Sequence, residues 1–152
     1  MIKIMKELWN KHEKELRERL EKRTDVHQME YVDLVHLTFE TIFNGDDREV
    51  KLNLKEMTEI DNGNYQGTML YLIPFKTYQP AEYEYLMTYV RYGSCSGCDA
   101  LQAAKSWCDE GPLTGKELKA VMAICKDIVC NTIKPYNCGW RENDEYKPVE
   151  EA

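Results

Sequence analysis

The chain has 152 residues, of which 43% are hydrophobic and 31% charged, and its formal net charge is −7. This size and composition are those of one globular domain, since folding buries roughly 70% of the surface of such a chain. The negative charge excludes a general binder of nucleic-acid backbones, which needs clustered Lys and Arg, and suits docking on a basic partner surface.

The N-terminal sequence is charged from residue 3 onward and has no apolar run long enough for a signal peptide or a membrane span. We therefore expect a cytoplasmic protein without membrane contact. The chain contains six cysteines. Without a secretion signal, they are expected to be thiols or metal ligands rather than disulfides.

Two helices are predicted at the N-terminus. The first covers about residues 2–23, with a narrow apolar stripe and several i,i+4 pairs of opposite charge. The narrow stripe leaves open whether residues 1–24 pack on their own domain, project, or pair with a second copy in a homodimer. Asp25 and Gln28 resemble an N-cap and its N3 acceptor, which predicts a second helix after residue 25, ending near Asn44-Gly45. Its apolar face carries Met29, Val32, Val35, Phe39 and Ile42.

A three-stranded antiparallel meander is predicted between residues 51 and 92, although the stretch from Lys51 to Ile60 could be strand or helical turn. Asp61-Asn62-Gly63-Asn64 predicts a hairpin turn, because Asn-Gly readily adopts the positive φ of a type I′ turn. Residues 68–73 form a buried strand that Pro74 ends, and residues 77–80 form the next turn. Residues 84–92 then alternate as a strand rich in tyrosine.

The last third is predicted to be helical. One helix covers residues 98–108, with Ser96 as its cap, and Gly111-Pro112 ends it. Thr114-x-x-Glu117 is a capping box that opens the final helix, which Pro135 closes. Its apolar stripe consists of Leu118, Val121, Met122, Cys125, Ile128, Val129 and Thr132. The whole is a single α+β domain over residues 1–140, with two N-terminal helices, the meander and two C-terminal helices, followed by a flexible acidic tail at 141–152.

The strand-to-helix corner at residues 92–99 reads Y-G-S-C-S-G-C-D and carries a C-x-x-C pair. In a redox dithiol Cys95 would attack and Cys98 would resolve, because a helix N-terminus lowers the pKa of a thiol. The negative charge of Asp99 beside the thiols opposes this use. Backbone N–H groups of residues 93–98 could instead bind a phosphate, as in a small-ligand sponge. A tight turn in which both cysteines only pack is the simplest interpretation.

Zinc is a further use of the same corner. Cys95 and Cys98 have the spacing of one half of a structural site. Cys130 and Cys138 are the best candidates for the other half, because Cys125 lies on the apolar stripe of the final helix. No second C-x-x-C pair completes a recognisable zinc signature. Zinc is thus an open alternative as a cofactor.

Three motifs follow one another between residues 60 and 105: Y-Q-G at 65–67, T-Y-Q-P at 77–80, and Y-G-S-C-S-G-C-D-A-L-Q at 92–102. In these motifs the chain resembles a group of small, functionally uncharacterised proteins encoded by bacteriophages of Gram-positive bacteria. The resemblance implies a phage early or accessory protein in the cytoplasm of a bacterial host cell. It implies no activity and no catalytic residue.

The predicted function is binding rather than catalysis, since no nucleophile elbow, zincin motif or dinucleotide fingerprint occurs. In the phage setting the partner is expected to be a host protein, bound for host takeover or to counter a defence system. Aromatic side chains dominate the energetics of interfaces, which favours the tyrosines as anchors. The candidate surface comprises Thr77, Tyr78, Gln79, Tyr83, Tyr85, Tyr89, Tyr92, Ser94, Ser96 and Asp99. The alternatives are a zinc-stabilised module and a thiol redox protein or small-ligand sponge that uses the corner.

Overall fold

The computed structural model describes residues 3–64, 66–81, 84–94, 99–104 and 111–133. It confirms the predicted α+β class and the order of the elements. These are α1 (Lys3–Lys22), α2 (Tyr31–Ile42), β1 (Thr58–Gly63), β2 (Gly67–Pro74), β3 (Tyr85–Tyr92), α3 (Ala100–Ala104) and α4 (Gly115–Cys130). Short 3₁₀ turns lie at Val26–Gln28 and Leu54–Glu56. The acidic tail at 141–152 lies outside the described residues.

Helix α1 docks on its own domain, an arrangement that its sequence left open. Its apolar side chains Ile4, Met5, Leu8, Trp9, Leu16 and Leu20 are buried. They pack where α1 contacts α2 and α4. The helix therefore does not project, and a homodimer through α1 stays a prediction. No helix in the described part of the chain is long and apolar enough to cross a membrane.

The N-cap of helix α2 lies five residues after the predicted cap at Asp25. Asp25 does not cap it, because both carboxylate oxygens accept hydrogen bonds from the Arg23 guanidinium at 2.9 Å. The chain instead makes the 3₁₀ turn, and α2 opens at Glu30, whose backbone N–H donates to Asp33 at 2.8 Å. The Asp25 carboxylate binds Arg23 and is not available to cap a helix. The cap predicted at Asp25 and Gln28 is therefore wrong.

The loop that follows α2 is attached to α1 through a buried carboxylate. Asp46, whose side chain is 4% exposed, contacts Lys11 Nζ at 2.8 Å and His12 Nε2 at 2.7 Å. Burial opposes ionisation of Asp46, but the hydrogen bonds from His12 and Lys11 outweigh it and lower its pKa to about 2. The carboxylate is therefore charged at neutral pH and holds the loop on the helix.

The sheet has the order β1-β2-β3, and both pairs are antiparallel. The predicted hairpin turn at residues 61–64 is wrong, because pairing continues to the end of β1, where Gly63 lies opposite Gly67. The two glycines let the strands approach closely: a Cβ on Gly67 would lie 2.8 Å from the Gly63 Cα atom. The chain therefore reverses direction after Gly63.

Helix α4 joins the helices to the sheet. Its predicted capping box is confirmed, since Glu117 N donates to Thr114 Oγ1 at 3.2 Å and Thr114 N donates to Glu117 Oε1 at 2.9 Å. Every residue of its predicted apolar stripe is buried. On the sheet side, the Thr88 hydroxyl of β3 donates to the Ile128 carbonyl at 2.6 Å. Of the helix predicted at 98–108, the structure describes Ala100–Ala104 as helical.

Candidate binding face

The sheet has an inner face that packs on the helices and an outer face on which none of the described helices packs. Tyr71 and Ile73 of β2 are buried, as are Leu86, Thr88 and Val90 of β3. Since successive side chains of a strand point to opposite sides, the residues between them belong to the outer face. The outer face consists of Thr58, Ile60, Asn62, Thr68, Leu70, Leu72, Tyr85, Met87, Tyr89 and Arg91.

Apolar side chains cross the outer face in rows set by the strand register. One row runs Ile60, Leu70, Tyr89, and the next places Leu72 beside Met87. Ile60 is 46% exposed, and the other four are half-buried by their neighbours. These apolar side chains therefore form a contiguous surface across all three strands. Such a surface is typical of an interaction site, whereas exposed apolar residues without a function are usually scattered singly.

The predicted tyrosines separate onto two faces. Tyr85 and Tyr89 are half-buried and lie on the outer face. Tyr92 lies on the inner face, packs against the core, and donates its hydroxyl to Asp61 Oδ1 at 2.5 Å. Tyr83 lies outside the described residues. The outer face therefore brings together two of the predicted anchors.

The T-Y-Q-P turn projects into solvent between β2 and β3. Thr77, Tyr78 and Gln79 are all exposed, and Tyr78 is 89% exposed. The backbone N–H of Thr77 donates to the Phe75 carbonyl at 2.9 Å, which tightens the start of the turn. Pro74, which pairs with Tyr85 in the register, precedes this turn. The turn therefore places the exposed ring of Tyr78 at one end of the outer face.

Asp99 was predicted as part of the surface, but it is a buried anchor with 5% exposure. Its carboxylate accepts hydrogen bonds from the Gly93 N–H at 2.9 Å and from the Leu101 and Gln102 N–H groups at 3.0 Å. It therefore caps α3 and attaches the end of β3 to that cap. Ser94 at the end of β3 is exposed, whereas Ser96, the predicted cap, lies outside the described residues.

Tyr31 is a further hydrogen-bond partner of the Asp99 carboxylate. The sequence analysis did not identify Tyr31. Its hydroxyl donates to Asp99 Oδ1 at 2.9 Å and accepts from the Leu101 N–H at 3.1 Å. Burial raises the pKa of Tyr31, and the hydrogen bond to Asp99 adds to the shift, so the hydroxyl stays a donor at neutral pH. Because 68 residues separate the two side chains, no local pattern could have paired them.

A cavity of about 360 Å³ lies beside this anchor, between β3, α3 and α4. Tyr89, Arg91, Ile124 and Asp127 are among the residues that line it, and Arg91 and Asp127 carry opposite charges. Asn131 donates its side-chain N–H to the Tyr89 carbonyl at 3.0 Å and fixes the end of α4 on the edge of β3. The arrangement suits a small polar ligand that carries charges of both signs.

Both cysteines in the described part of the chain have raised pKa values. Burial raises the pKa of Cys125 to about 11, and burial together with the nearby Asp127 raises the pKa of the half-buried Cys130. Among the residues that the structure describes, no group of three or more His, Cys, Asp or Glu side chains could hold a metal ion. The other predicted zinc ligands, Cys95, Cys98 and Cys138, lie outside those residues, so the zinc and redox alternatives stay predictions.

Comparison with protein-family models, with curated proteins and with solved structures found no match for this chain.

Proposed function

We propose that this chain is a bacteriophage accessory protein that binds and modulates a host protein through the outer face of its sheet, without catalysis, in the cytoplasm of the bacterial cell. The observation that carries the proposal is the apolar row Ile60, Leu70, Tyr89, with Leu72 and Met87 beside it. The motif resemblance supplies the phage setting, and the net charge of −7 favours a partner with a basic surface.

The structure beneath this face supports its use as a rigid platform. The inner face of the same strands packs on the helices, and the Thr88–Ile128 hydrogen bond ties β3 to α4. Side chains that neighbours already hold lose little conformational entropy on binding. Tyr85 and Tyr89 are in this position, because they are half-buried before any partner arrives. They are therefore the expected anchors of the interface.

The test is a double substitution of the two anchors, Tyr85→Ala with Tyr89→Ala. Crosslinking in a lysate of a Gram-positive host first identifies a partner, and its affinity is then measured with both proteins purified. The double variant should bind at least roughly tenfold more weakly, because truncation of aromatic anchors typically costs more than 1 kcal/mol each. Lys14→Ala, at an exposed position of α1, is the control and should bind normally.

Circular dichroism decides how a loss of binding is interpreted. Both side chains lie outside the core, so the double variant should keep a melting temperature close to that of the native protein. Full affinity in a folded double variant would contradict the proposal. Unfolding of the double variant would show that the rings belong to the core, which would also contradict it.

The cavity beside Asp99 favours a second candidate function, the capture of a small ligand at the corner. Arg91 and Asp127 would hold opposite charges of that ligand, with its apolar part on Ile124. A ligand that binds only the folded state raises the melting temperature. A screen of amino acids and nucleotides by thermal shift tests this function, and Arg91→Ala should abolish any shift. Absence of a shift across the panel would leave the sheet face as the working surface.

A further inference from the structure

Strand β1 forms a free edge of the sheet. All six of its residues are exposed, and it pairs only with β2 within the described part of the chain. The Asn53 N–H, from the segment that leads into β1, donates to the Pro74 carbonyl at the end of β2. Because backbone groups alternate in direction along a strand, the even-numbered residues of β2 direct theirs toward β1. Their register partners Thr58, Ile60 and Asn62 therefore bond to β2. The backbone N–H and C=O groups of Glu59 and Asp61 face away from the sheet.

The side chains of the same two residues are acidic, and each is held by a tyrosine hydroxyl. Glu59 accepts a hydrogen bond from the Tyr71 hydroxyl at 2.8 Å, and Asp61 accepts one from Tyr92 at 2.5 Å. Among the described residues, no Lys, Arg or His lies within ion-pair distance of either carboxylate. The tyrosines thus fix both carboxylates in place, and no cation in the described part of the chain pairs with either of them.

We propose that the edge of β1 binds an extended segment of a partner protein in which basic and apolar residues alternate, and that this segment adds a fourth strand to the sheet. Free backbone groups of an edge strand supply the hydrogen bonds of such an addition. The basic residues would lie opposite Glu59 and Asp61, and the apolar residue between them would lie beside Ile60 on the outer face.

A second copy of this chain fits the edge poorly. Antiparallel pairing of two β1 strands joins residues whose backbone groups face outward, and these are Glu59, Asp61 and Gly63 in each copy. In the registers that overlap most of β1, carboxylates lie directly opposite carboxylates, which destabilises a strand pair. The unpaired charges and the edge therefore point to the same partner chemistry.

This inference deepens the proposed function, because the apolar residue beside Ile60 would continue onto the outer face. The two surfaces nevertheless have separate tests. The double variant at Tyr85 and Tyr89 leaves the edge intact, so it should bind a short strand-forming peptide as the native protein does. A failure at one surface is therefore distinguishable from a failure at the other.

The probe is a fluorescent heptapeptide of the sequence T-K-V-K-V-K-T, titrated against the full chain by fluorescence anisotropy. A matched T-E-V-E-V-E-T peptide and a scrambled peptide with the lysines adjacent are the peptide controls. The alternating basic peptide should bind at least about tenfold more tightly than the acidic one, since two cross-strand pairs change from attraction to repulsion. The scrambled peptide should bind more weakly because it cannot alternate on the two faces.

Two substitutions at Asp61 distinguish the contribution of its charge to peptide binding from the contribution of its backbone N–H. Asp61→Asn should weaken binding about threefold through the loss of one charge pair. Asp61→Pro also removes an N–H at the free edge, without removing a hydrogen bond to β2, and should abolish binding. Tyr92→Phe removes the hydroxyl bond to Asp61 and should bind normally, while circular dichroism confirms that each variant is folded.

Three results would overturn the proposal. The first is equal binding of the basic and acidic peptides. The second is a folded Asp61→Pro variant that retains the native affinity for the basic peptide. The third is sedimentation showing that the native chain self-associates and that Asp61→Pro abolishes this association, since β1 would then pair with a second copy.

Discussion

The hydrogen bond from Tyr31 to Asp99 should contribute measurably to the stability of the fold, because it holds the strand-to-helix corner on α2. Tyr31→Phe removes only a hydroxyl, and it takes away one of the four donors around the buried carboxylate. A hydrogen bond to a charged group contributes about 1.5–3 kcal/mol, so the free energy of unfolding should fall by about 2 kcal/mol. Asp99→Ala also removes the cap of α3 and leaves the Tyr31 hydroxyl without its acceptor, so it should cost about 4 kcal/mol.

Urea unfolding followed by circular dichroism measures both losses. Tyr78→Phe is the matched control, because that ring is 89% exposed, and it should change stability by less than about 0.5 kcal/mol. In a double-mutant cycle, Tyr31→Phe should cost far less when Asp99 is already Ala, since the shared bond is gone. A loss below about 0.5 kcal/mol for Tyr31→Phe, or strict additivity of the two changes, would refute the reasoning.

Three further predictions concern stability and thiol reactivity. The pKa of Asp46 is lowered from 3.8 to about 2, so its contribution is complete above about pH 4 and is lost as the pH falls toward 2. Asp46→Asn should flatten the acid limb of a stability–pH curve, and an unchanged limb would contradict this. Gly67→Ala places a Cβ 2.5 Å from a backbone oxygen and should cost about 1–3 kcal/mol, whereas Gly115→Ala meets open space and should cost nothing in the same unfolding assay. Because the pKa of Cys125 is raised to about 11 and the residue is buried, native-state alkylation mapped by mass spectrometry should modify it far more slowly than Cys130, and comparable rates would show an accessible thiol.

The helical elements were predictable because their signals are local. The Thr114–Glu117 capping box and the apolar stripe of α4 both operate within a few residues, and the structure contains both as predicted. The alternation of β3 likewise predicted a strand, and the structure places Leu86, Thr88 and Val90 on its buried side. These local patterns distinguish helices from strands, so the α+β class followed from them.

The errors arose where a residue had two possible partners. Asp25 had the right type for a cap, but Arg23 binds its carboxylate and α2 opens at Glu30 instead. Asn62-Gly63 had the right type for a turn, but the register continues to Gly63 opposite Gly67. In both cases an interaction with another residue decided the outcome, and the preferences of single residues do not take such interactions into account.

The candidate surfaces show the same division. The tyrosine-rich strand was visible in the sequence, but the outward direction of Tyr85 and Tyr89, and the inward direction of Tyr92, depend on which face of the sheet the helices cover. The predicted meander already makes β1 an edge strand, but the register decides that the backbone groups of Glu59 and Asp61 face outward, and the sequence did not specify it.

The sequence alone determined the elements, their order and the buried sides of the helices, because periodicity and capping operate over a few residues. Only the tertiary structure decided that α1 docks on its own domain, that Asp99 meets Tyr31 across 68 residues, and that an apolar row crosses the outer face. These features join segments distant in the chain, and their energies depend on the packing of all elements together rather than on any one segment.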